Sequence, residues 1–353
     1  MVARTTEKGS ETGTESRLRE GDIENKNRSV HDFSSESSLK NSLQGPLPFH
    51  WDYCSCPLCH HDEATCYIEA PDPNPSQFGN EEYWFAVMQC NNCKLKYTQP
   101  RPTPETIHRF YANNYLPHRK PKALRKLVRS RSPFGILRGR AGERRSLPWH
   151  GQGRLLDFGC GGGSFLVRMS DQGWKVIGLD VSETVVKNIR EKLGLTAFVG
   201  SLPHAELKPC SFDVITMWHS LEHVHQPVEI LQEAFRLLVP KGKILIAVPN
   251  IDSWAFHWFK KSWFALDLPR HLIHFCPKTL RASLESSGFR VESIRYIRHS
   301  DWLRSSAKLA NRRQETTLLS YFLSFKYIAR LVSWCSYMAN QSDCILAVAS
   351  RPE

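Results

Sequence analysis

Three glycines and one aspartate form the pattern in this sequence with the clearest chemical meaning. Gly159, Gly161 and Gly163 follow a short apolar run and precede a helical pattern, so they lie at a strand-to-helix junction. Glycines at such a junction let the backbone turn tightly and bring helix N-terminal NH groups close to a ligand. Asp180 ends the next predicted strand, where a carboxylate can accept hydrogen bonds from the hydroxyls of a ribose. The pattern predicts a nucleoside-binding loop.

Two further residues distinguish this loop from one that binds a dinucleotide. The dinucleotide spacing Gly-x-Gly-x-x-Gly requires glycine at position 164, where this chain has Ser164. Asp157 carries a negative charge that would repel a pyrophosphate but attract an α-ammonium group. The sequence therefore indicates a ligand with a ribose and a cationic end. The alternative is a glycine-rich turn that binds nothing.

Four cysteines form two Cys-x-x-Cys pairs, Cys56 with Cys59 and Cys90 with Cys93. Each pair can turn two thiolates toward one point, and four thiolates complete the tetrahedral coordination of zinc with no open position. We therefore expect a structural Zn²⁺ in a small zinc ribbon, in a reducing cytoplasm. Other potential ligands lie nearby, and one of them could replace a cysteine of the set: Cys54, His60, His61 and Cys66.

Two histidine-rich segments could act on a second substrate. His223 follows the fourth strand of the α/β pattern, and an unperturbed histidine titrates near pH 6.5, which suits a general base. Arg270, His271 and His274 lie behind a run rich in Trp and Phe and could bind an anionic or aromatic molecule. The alternative for both segments is structural: a cap for the following helix near His223, and hydrogen-bonded histidines within a packed lid.

Composition divides the chain into four segments. Residues 1–45 are polar and are predicted to be disordered, and 46–104 form the cysteine module. A basic helical linker, 105–150, follows a helix start at Thr103 and Pro104. Within it, positions 119–145 hold eleven Lys or Arg and one acid, in a chain of formal net charge +12. This basic strip could attract RNA, a membrane surface or an anionic substrate, or could be a solvated helical face.

The last segment, 151–353, alternates short apolar runs with amphipathic stretches. This rhythm predicts an α/β fold, with a parallel sheet and helices on both faces. The predicted strands are 154–158, 175–179, 197–199, 213–218, 244–248, 289–296 and 344–349.

Residues 316–338 are predicted to form one long amphipathic helix. This helix could contact a membrane peripherally, cover the pocket, or pack in a core or a dimer. No run of about 18 apolar residues is present, so we expect no membrane span. The first ten residues lack the apolar centre of a signal peptide.

Several motifs together resemble those of class I S-adenosylmethionine-dependent methyltransferases, especially the ubiquinone-biosynthesis O-methyltransferase branch and its relatives with an N-terminal zinc-binding module. They are the glycine loop with Asp157, the strand ending in Asp180, and the segments 211–224 and 237–250. The resemblance covers about 150–300 and implies a Rossmann-like, mostly parallel sheet of seven strands. It also implies S-adenosylmethionine as cofactor and an acceptor lid at about 252–280.

The resemblance also implies positions for the cofactor-binding residues. The methionine end would lie at the glycine loop, the ribose at Asp180 and the adenine beside the residues that follow the second and third strands. The end of the fourth strand would lie near the sulfonium. Many members place an acid near Ser201 to meet the adenine amino group, and this chain has none there. The implied set is Asp157, Gly159, Cys160, Gly161, Gly163, Asp180, Val181, Gly200, Ser201, Leu202, Trp218 and His219.

Three functions remain open from the sequence. The first is methyl transfer to a small-molecule acceptor, at an oxygen atom, with His223, His271 and His274 as candidate catalytic residues. The second is an RNA methyltransferase that grips phosphates with the zinc module and the basic strip. The third is a non-catalytic, zinc-bearing binding scaffold. No Asn-Pro-Pro-Tyr motif follows the fourth strand, which argues against methylation of a base amino group, and the intact glycine loop argues against the scaffold.

Overall fold

The computed structural model describes residues 50–74, 83–111 and 147–353. The segment 1–45, predicted to be disordered, and the basic strip 119–145 lie outside these residues. Within the described residues the strands form three sheets, of two, four and seven strands. The four-stranded sheet carries the cysteine pairs and the seven-stranded sheet carries the glycine loop, so the two predicted binding regions are built on different sheets.

The cysteine module contains five short strands. They are β1 (Trp51–Asp52), β2 (Ala64–Pro71), β3 (Trp84–Cys90), β4 (Lys96–Gln99) and β5 (Arg101–Pro102). β3 pairs antiparallel with both β2 and β4, and β1 pairs with β5. The helix predicted to start at Thr103 is instead a turn followed by a short 3-10 helix, Ile107–Phe110. The backbone of His50 holds this turn, because its carbonyl accepts hydrogen bonds from Thr103 N and Thr106 Oγ1.

The first half of the α/β segment alternates strands and helices as the sequence predicts. In chain order these elements are β6 (Arg154–Phe158), α1 (Ser164–Asp171), β7 (Lys175–Asp180), α2 (Glu183–Asn188), β8 (Thr196–Val199), β9 (Phe212–Trp218), α3 (Pro227–Leu237) and β10 (Leu238–Pro249). α2 continues into a π-helical turn that ends at Gly194. Proline at the first position of α3 suits a helix start, because it has no N–H to leave unpaired.

The second half adds the segment at about 252–280, which we call the lid after its predicted role, and the antiparallel end of the sheet. Its elements are α4 (Trp254–Phe259), β11 (Ile273–His274), α5 (Pro277–Ser286), β12 (Arg290–Ile297), α6 (Ser300–Arg312), α7 (Leu318–Leu323), α8 (Lys326–Met338) and β13 (Cys344–Ser350). The single helix predicted at 316–338 is wrong, because Phe325 has an extended backbone (φ −79°, ψ 132°) and separates α7 from α8. No helix in the described ranges is both long enough and apolar enough to cross a membrane.

The large sheet has the strand order β12-β13-β10-β9-β6-β7-β8. Neighbours from β10 to β8 are parallel, and β13 runs antiparallel to both β10 and β12. Alternate residues enter opposite cores: Ile215 packs with α3 and α5 residues, whereas Val214 packs with Phe165 and Met169 of α1. The prediction of a mostly parallel, seven-stranded sheet with helices on both faces is confirmed.

The lid connects the α/β segment to the cysteine module. β11 lies in the lid, far along the chain from the module, yet it pairs antiparallel with β4, with Ile273 opposite Tyr97 and His274 opposite Lys96. The four-stranded sheet therefore has the order β11-β4-β3-β2. A strand from the lid completes the sheet of the cysteine module, so the two segments form one packed unit.

Candidate functional site

The glycine loop connects β6 to α1 in the conformation that glycine alone adopts without strain. Gly159, Gly161 and Gly163 have φ angles of 70°, 51° and 73°. Gly163 is the N-cap residue of α1, and its NH donates to the carbonyl of Cys160. Side chains at these positions would be strained by about 1 kcal/mol or more each. The loop is therefore shaped by the residue types that the sequence analysis singled out.

Ser220 lies directly against this loop, and the sequence analysis missed it. A Cβ added to Gly159 would meet the Ser220 Cβ at 2.5 Å. The Ser220 Oγ is buried and has no hydrogen-bond partner among the residues that the structure describes. A serine after a strand has no distinguishing sequence signal, so only the approach of β9 to the loop reveals it. The loop thus has a close-fitting cradle and a buried hydroxyl that can bond to a ligand.

Asp180 is held in a fixed orientation at the end of β7. Its Oδ2 accepts a hydrogen bond from Gly161 N and its Oδ1 accepts one from Ser182 N, both at 2.9 Å. Each carboxylate oxygen keeps a second lone pair, which can accept a hydroxyl of a ribose. Val181, the next residue, is 74% exposed and presents an apolar surface beside this carboxylate.

The loop after β8 approaches the same edge of the sheet. Gly200 N donates to the Asp180 carbonyl at 2.9 Å, which places the start of this loop beside Asp180. Ser201 is half-buried, whereas the side chain of Leu202 is buried in the main core. The structure therefore brings Gly200 and Ser201 to the predicted adenine side. The Leu202 side chain packs in the core, and its contact with the cofactor stays a prediction.

Asp157 is fixed by the neighbouring strand. Its Oδ1 accepts a hydrogen bond from Thr216 Oγ1 at 2.7 Å, and the residue is 1% exposed. Asp157 therefore lies next to the glycine loop, where a carboxylate could face the predicted cationic group. Cys160 differs from the expectation, because its Sγ points into the core, 2.8 Å from where a Cβ at Gly178 would lie. Burial raises the pKa of this thiol, so it is neutral, and contact between the Cys160 backbone and a ligand stays a prediction.

Trp218 and His219 leave β9 in different directions. Trp218 is buried and packs edge-on against Phe165 of α1, with ring centroids 5.5 Å apart, so its ring belongs to the core. His219 has a left-handed backbone (φ 55°), and its half-buried ring lies 5.1 Å from the Trp302 ring. The expected ligand contact stays a prediction for both residues, and the packing against Phe165 makes His219 the more accessible of the two.

Glu222, His223 and His271 converge beyond the end of β9. One ligand atom from each of the three lies within 4.8 Å of the others, and the two imidazole rings form a T-shaped contact at 4.7 Å. His219 Nδ1 lies 3.5 Å from Glu222 Oε1. Burial raises the pKa of the Glu222 carboxyl, but the interactions with His219, His223 and His271 outweigh burial, and its pKa is lowered below the ordinary value. The carboxylate is therefore charged.

The hydrogen bonds of the two imidazoles identify their tautomers. His223 Nδ1 lies 2.9 Å from the Arg270 carbonyl, and His271 Nδ1 lies 2.8 Å from the Ala265 carbonyl. A carbonyl only accepts hydrogen bonds, so each Nδ1 carries a proton, and in the neutral form of each ring Nε2 keeps a lone pair. Burial, together with the neighbouring His271, lowers the pKa of His223 below its ordinary value. The predicted pair His223 and His271 thus presents basic nitrogens.

Tyr111, just after the short 3-10 helix that follows the cysteine module, also reaches this cluster, and nothing in the sequence points to it. Its hydroxyl lies 3.1 Å from His223 Nδ1, although the two residues are 112 positions apart. Burial raises the pKa of the Tyr111 hydroxyl, and the nearby Asp267 raises it further. The phenol is therefore neutral. A contact over this sequence distance has no local signal, since it depends on how the module packs on the sheet.

His274, the third predicted catalytic histidine, lies apart from this cluster. Thr98 Oγ1 donates to the His271 carbonyl at 2.7 Å and lies 3.0 Å from His274 Nε2, so it accepts from that nitrogen. Burial, together with His271 and Lys96, lowers the pKa of His274 well below its ordinary value. The expected catalytic role is corrected: the β11 register turns His274 toward β4, where it connects the lid to the cysteine module.

The four predicted cysteines meet at one point. Cys56 Sγ lies 3.4 Å from Cys93 Sγ, Cys59 Sγ lies 3.6 Å from Cys90 Sγ, and all four sulfurs lie within 4.8 Å of one another. A tetrahedral zinc with bonds of about 2.3 Å separates its sulfurs by about 3.8 Å, close to these distances. Burial raises the pKa of Cys59, but hydrogen bonds from the His61 backbone and the neighbouring thiols outweigh it and lower that pKa to about 7.

None of the alternative ligands joins this set. Cys54 Sγ lies 3.9 Å from Gln99 Oε1, Cys66 is exposed on β2, and the four-sulfur group includes no histidine. The backbones of His60 and Lys94 have positive φ angles (58° and 64°), each just after a Cys-x-x-Cys pair. These turns aim each pair of thiols at the shared point, so the four cysteines could hold one tetrahedral metal ion.

Comparison with known proteins adds three findings. Residues 91–294 match the family model described as a methyltransferase domain. A ubiquinone biosynthesis O-methyltransferase of Xanthomonas euvesicatoria is 30% identical over 180 residues, which is 48% of this chain and 74% of that protein. One from Vibrio cholerae is 32% identical over 111 residues, 29% of this chain and 45% of that protein.

Among solved structures, an S-adenosylmethionine-dependent methyltransferase of Mesorhizobium loti superposes with a TM-score of 0.42 and 20% identity. The superposition covers 62% of this chain and 96% of that one.

Proposed function

This chain belongs to the methyltransferase domain family, and we propose that it methylates an oxygen atom of a small-molecule acceptor. It is an S-adenosylmethionine-dependent methyltransferase, and its resemblance to the ubiquinone biosynthesis O-methyltransferases is confirmed. The activity in the names of these relatives supports oxygen as the acceptor atom. S-adenosylmethionine supplies a methyl group on a positively charged sulfur, and an oxygen attacks most readily when a base takes its proton.

The observation that carries the proposal is the pair of imidazoles beside Glu222, each with its Nδ1 bound to a backbone carbonyl. His223 and His271 each have Nδ1 tied to a carbonyl, so each offers Nε2 as a proton acceptor. The Glu222 carboxylate stabilises the positive charge that either ring gains with a proton. We propose that one Nε2 takes the hydroxyl proton of the acceptor. His223 ends the short 3-10 helix Leu221–His223 that follows β9, the strand paired with β6 before the glycine loop, and is the stronger candidate.

The glycine loop and the residues around it fit the cofactor. The cradle at Gly159 would be filled by any Cβ, and the Ser220 hydroxyl beside it is buried without a partner among the described residues. We propose that Ser220 and Asp157 bind the amino-acid end of S-adenosylmethionine and that Asp180 binds the ribose. Together these groups satisfy a cation and two hydroxyls, and they offer no site for a diphosphate.

We assign Tyr111 a positioning role. Its hydroxyl contacts His223 Nδ1, and the Arg270 carbonyl contacts the same nitrogen, so together they fix the plane of the ring. Tyr111→Phe should lower kcat while the affinity for S-adenosylhomocysteine stays unchanged. A merely structural role would lower stability and cofactor affinity together.

The test is a labelled-methyl transfer screen with zinc-loaded, full-length protein against small-molecule, lipid and RNA pools. His223→Gln should lower the rate by about a hundredfold or more, the usual effect of losing a general base. His108→Gln, a change at an exposed histidine of the short 3-10 helix after the module, should leave the rate unchanged. Calorimetry with S-adenosylhomocysteine should give equal affinities for all three proteins. Full activity in a His223→Gln, His271→Gln double variant would refute the assignment.

We also propose that the four cysteines hold a structural zinc ion. Four thiolates close the coordination shell, so no position is left for a substrate. We propose the cytoplasm as the compartment, since reduced thiols are needed to bind the metal. The module would then hold Tyr111 and the lid in place without taking part in chemistry.

RNA methylation and a non-catalytic scaffold are the alternatives to small-molecule transfer. RNA binding would depend on the basic strip and would weaken steeply with salt. Changing Arg125, Lys126, Arg129 and Arg131 to Ala should abolish any such binding, and wild-type protein that fails to retain RNA at low salt would exclude this alternative. A scaffold would bind no S-adenosylhomocysteine in the same calorimetry.

A further inference from the structure

Helix α8 turns its small residues inward and its large apolar residues toward solvent. The buried residues of the helix are Ala329, Ser333 and Ser336. In a helix that only packs on its own core, the large apolar side chains face inward, so this arrangement is reversed. The outward residues recur at steps of four and three and form one stripe. They are Tyr327 (78% exposed), Leu331 (63%), Trp334 (51%) and Met338 (61%).

The stripe continues onto two neighbouring helices. On α7 and the junction after it, Leu318, Tyr321 and Phe325 are exposed. On the lid helix α4, Trp254 and Trp258 are exposed, and Trp254 N donates to the Gln341 carbonyl just after α8. We call these exposed apolar side chains, together with the stripe on α8, the apolar face. An apolar surface of this extent on a monomer marks an interaction site.

The charges on α7 and α8 select among partners for this face. Between positions 316 and 338 the formal charges are Lys326 and Arg330, both exposed, and the segment has no Asp or Glu. A second copy of the chain, packed face to face, would bring these positive charges together without an acid to pair them. An anionic surface pairs with them, and the chain as a whole carries +12.

We propose that the apolar face binds the surface of an anionic lipid bilayer. At about 1.5 Å per residue, the 13 residues of α8 span about 20 Å, so the helix lies along the surface with its stripe in the headgroup region. Trp334 and Tyr327 have the amphipathic rings that favour this depth, and Lys326 and Arg330 reach the lipid phosphates. This binding is independent of the acceptor's identity and of methyl transfer.

Vesicle flotation of the zinc-loaded, full-length protein tests the proposal. Wild-type protein should float with vesicles of phosphatidylcholine and phosphatidylglycerol, and at least about tenfold less with phosphatidylcholine alone. Leu331→Ser with Trp334→Ser should reduce flotation with the anionic vesicles by about tenfold or more. Lys326→Gln with Arg330→Gln should remove most of the preference for anionic lipid. The matched control is Tyr53→Ser, at an aromatic residue of the module that is 66% exposed.

Two results would overturn the proposal. The first is wild-type protein that does not float with anionic vesicles while it still binds S-adenosylhomocysteine. The second is a dimer by light scattering that Leu331→Ser converts to a monomer, because the face would then bind a second copy. Circular dichroism of each variant distinguishes lost binding from lost folding. The substituted residues of α8 are exposed, so the buried side of the helix is unchanged.

Discussion

Arg270 of the lid and Asp72 of the cysteine module form an ion pair with an Nη2–Oδ1 distance of 2.8 Å, and both side chains are fully buried. Arg270 also pairs with Asp267 at 2.8 Å and donates to the Phe110 carbonyl at 3.0 Å. Burial lowers the pKa of the guanidinium, but Asp267 and Asp72 outweigh burial and raise it. A charge buried this deeply depends on its partners, so the pair couples the folding of the module to that of the lid.

Removing one partner should therefore destabilise the protein strongly. Asp72→Asn leaves the buried guanidinium with one carboxylate, and we expect a loss of about 3 kcal/mol in the free energy of unfolding, measured with urea. Glu191→Gln is the control, since the Lys187–Glu191 pair is exposed and its loss should have an effect of about 0.5 kcal/mol or less. Equal effects of the two changes would contradict the coupling.

Gly159→Ala should weaken cofactor binding by at least about tenfold, because the added Cβ would lie 2.5 Å from the Ser220 Cβ. Gly194→Ala is the control: its φ of 65° is close to the 70° of Gly159, but nothing lies within 4 Å of its Cβ position. That change should affect stability by about 1 kcal/mol and leave cofactor affinity intact. Calorimetry with S-adenosylhomocysteine measures the affinity of both variants. Equal affinities in Gly159→Ala and Gly194→Ala would show that the contact with Ser220 does not shape the cofactor site.

Zinc removal should lower methyl transfer more than it lowers the affinity for S-adenosylhomocysteine. Cys93→Ser removes a sulfur of the cluster and should lower the metal content measured by plasma mass spectrometry, together with methyl transfer. Affinity for S-adenosylhomocysteine should fall much less, because the glycine loop belongs to the other sheet. Cys66→Ser, at an exposed cysteine, should retain its zinc. Unchanged activity in metal-free protein would show that the module does not support the lid.

Stability should rise with pH around the ordinary histidine pKa. The folded pKa of His274 lies well below 6.5, so below about pH 6.5 the unfolded chain takes up a proton that the folded protein does not. This histidine therefore lowers the free energy of unfolding as the pH falls below 6.5 and has no such effect at higher pH. His274→Gln should flatten the dependence measured by urea unfolding between about pH 5 and pH 8. If the free energy of unfolding of His274→Gln depends on pH as steeply as that of the wild type, His274 is not the source of the dependence.

The elements of the large sheet could be predicted because their signals are local. The strand predicted at 154–158 is found with the same bounds, and that predicted at 244–248 lies within the longer β10, which begins before the Pro-Lys-Gly turn. The helix predicted at 316–338 failed at Phe325, because apolar periodicity continues across an extended residue that interrupts the backbone. Periodicity reports which face a side chain takes and does not show where a helix is interrupted.

The candidate site was predictable only where one motif contains it. Glycine spacing located the loop and the Cys-x-x-Cys pairs located the sulfur cluster, since both are read over short distances. Tyr111 and Ser220 depend on packing between segments and have no local signature. His274 resembled His271 in sequence, and only the register of β11 separates a ring that faces the cluster from one that faces Thr98.

The pairing of β4 with β11 restricts how this enzyme can be re-engineered. A hybrid that takes a new lid from a relative would insert a strand whose register and side chains were selected against a different module edge. Asp72 and Thr98 of the module would then lose their contacts with Arg270 and His274 and would face foreign neighbours. Acceptor specificity should therefore be transplanted with the cysteine module and the lid exchanged together, while the nucleoside-binding half is left in place.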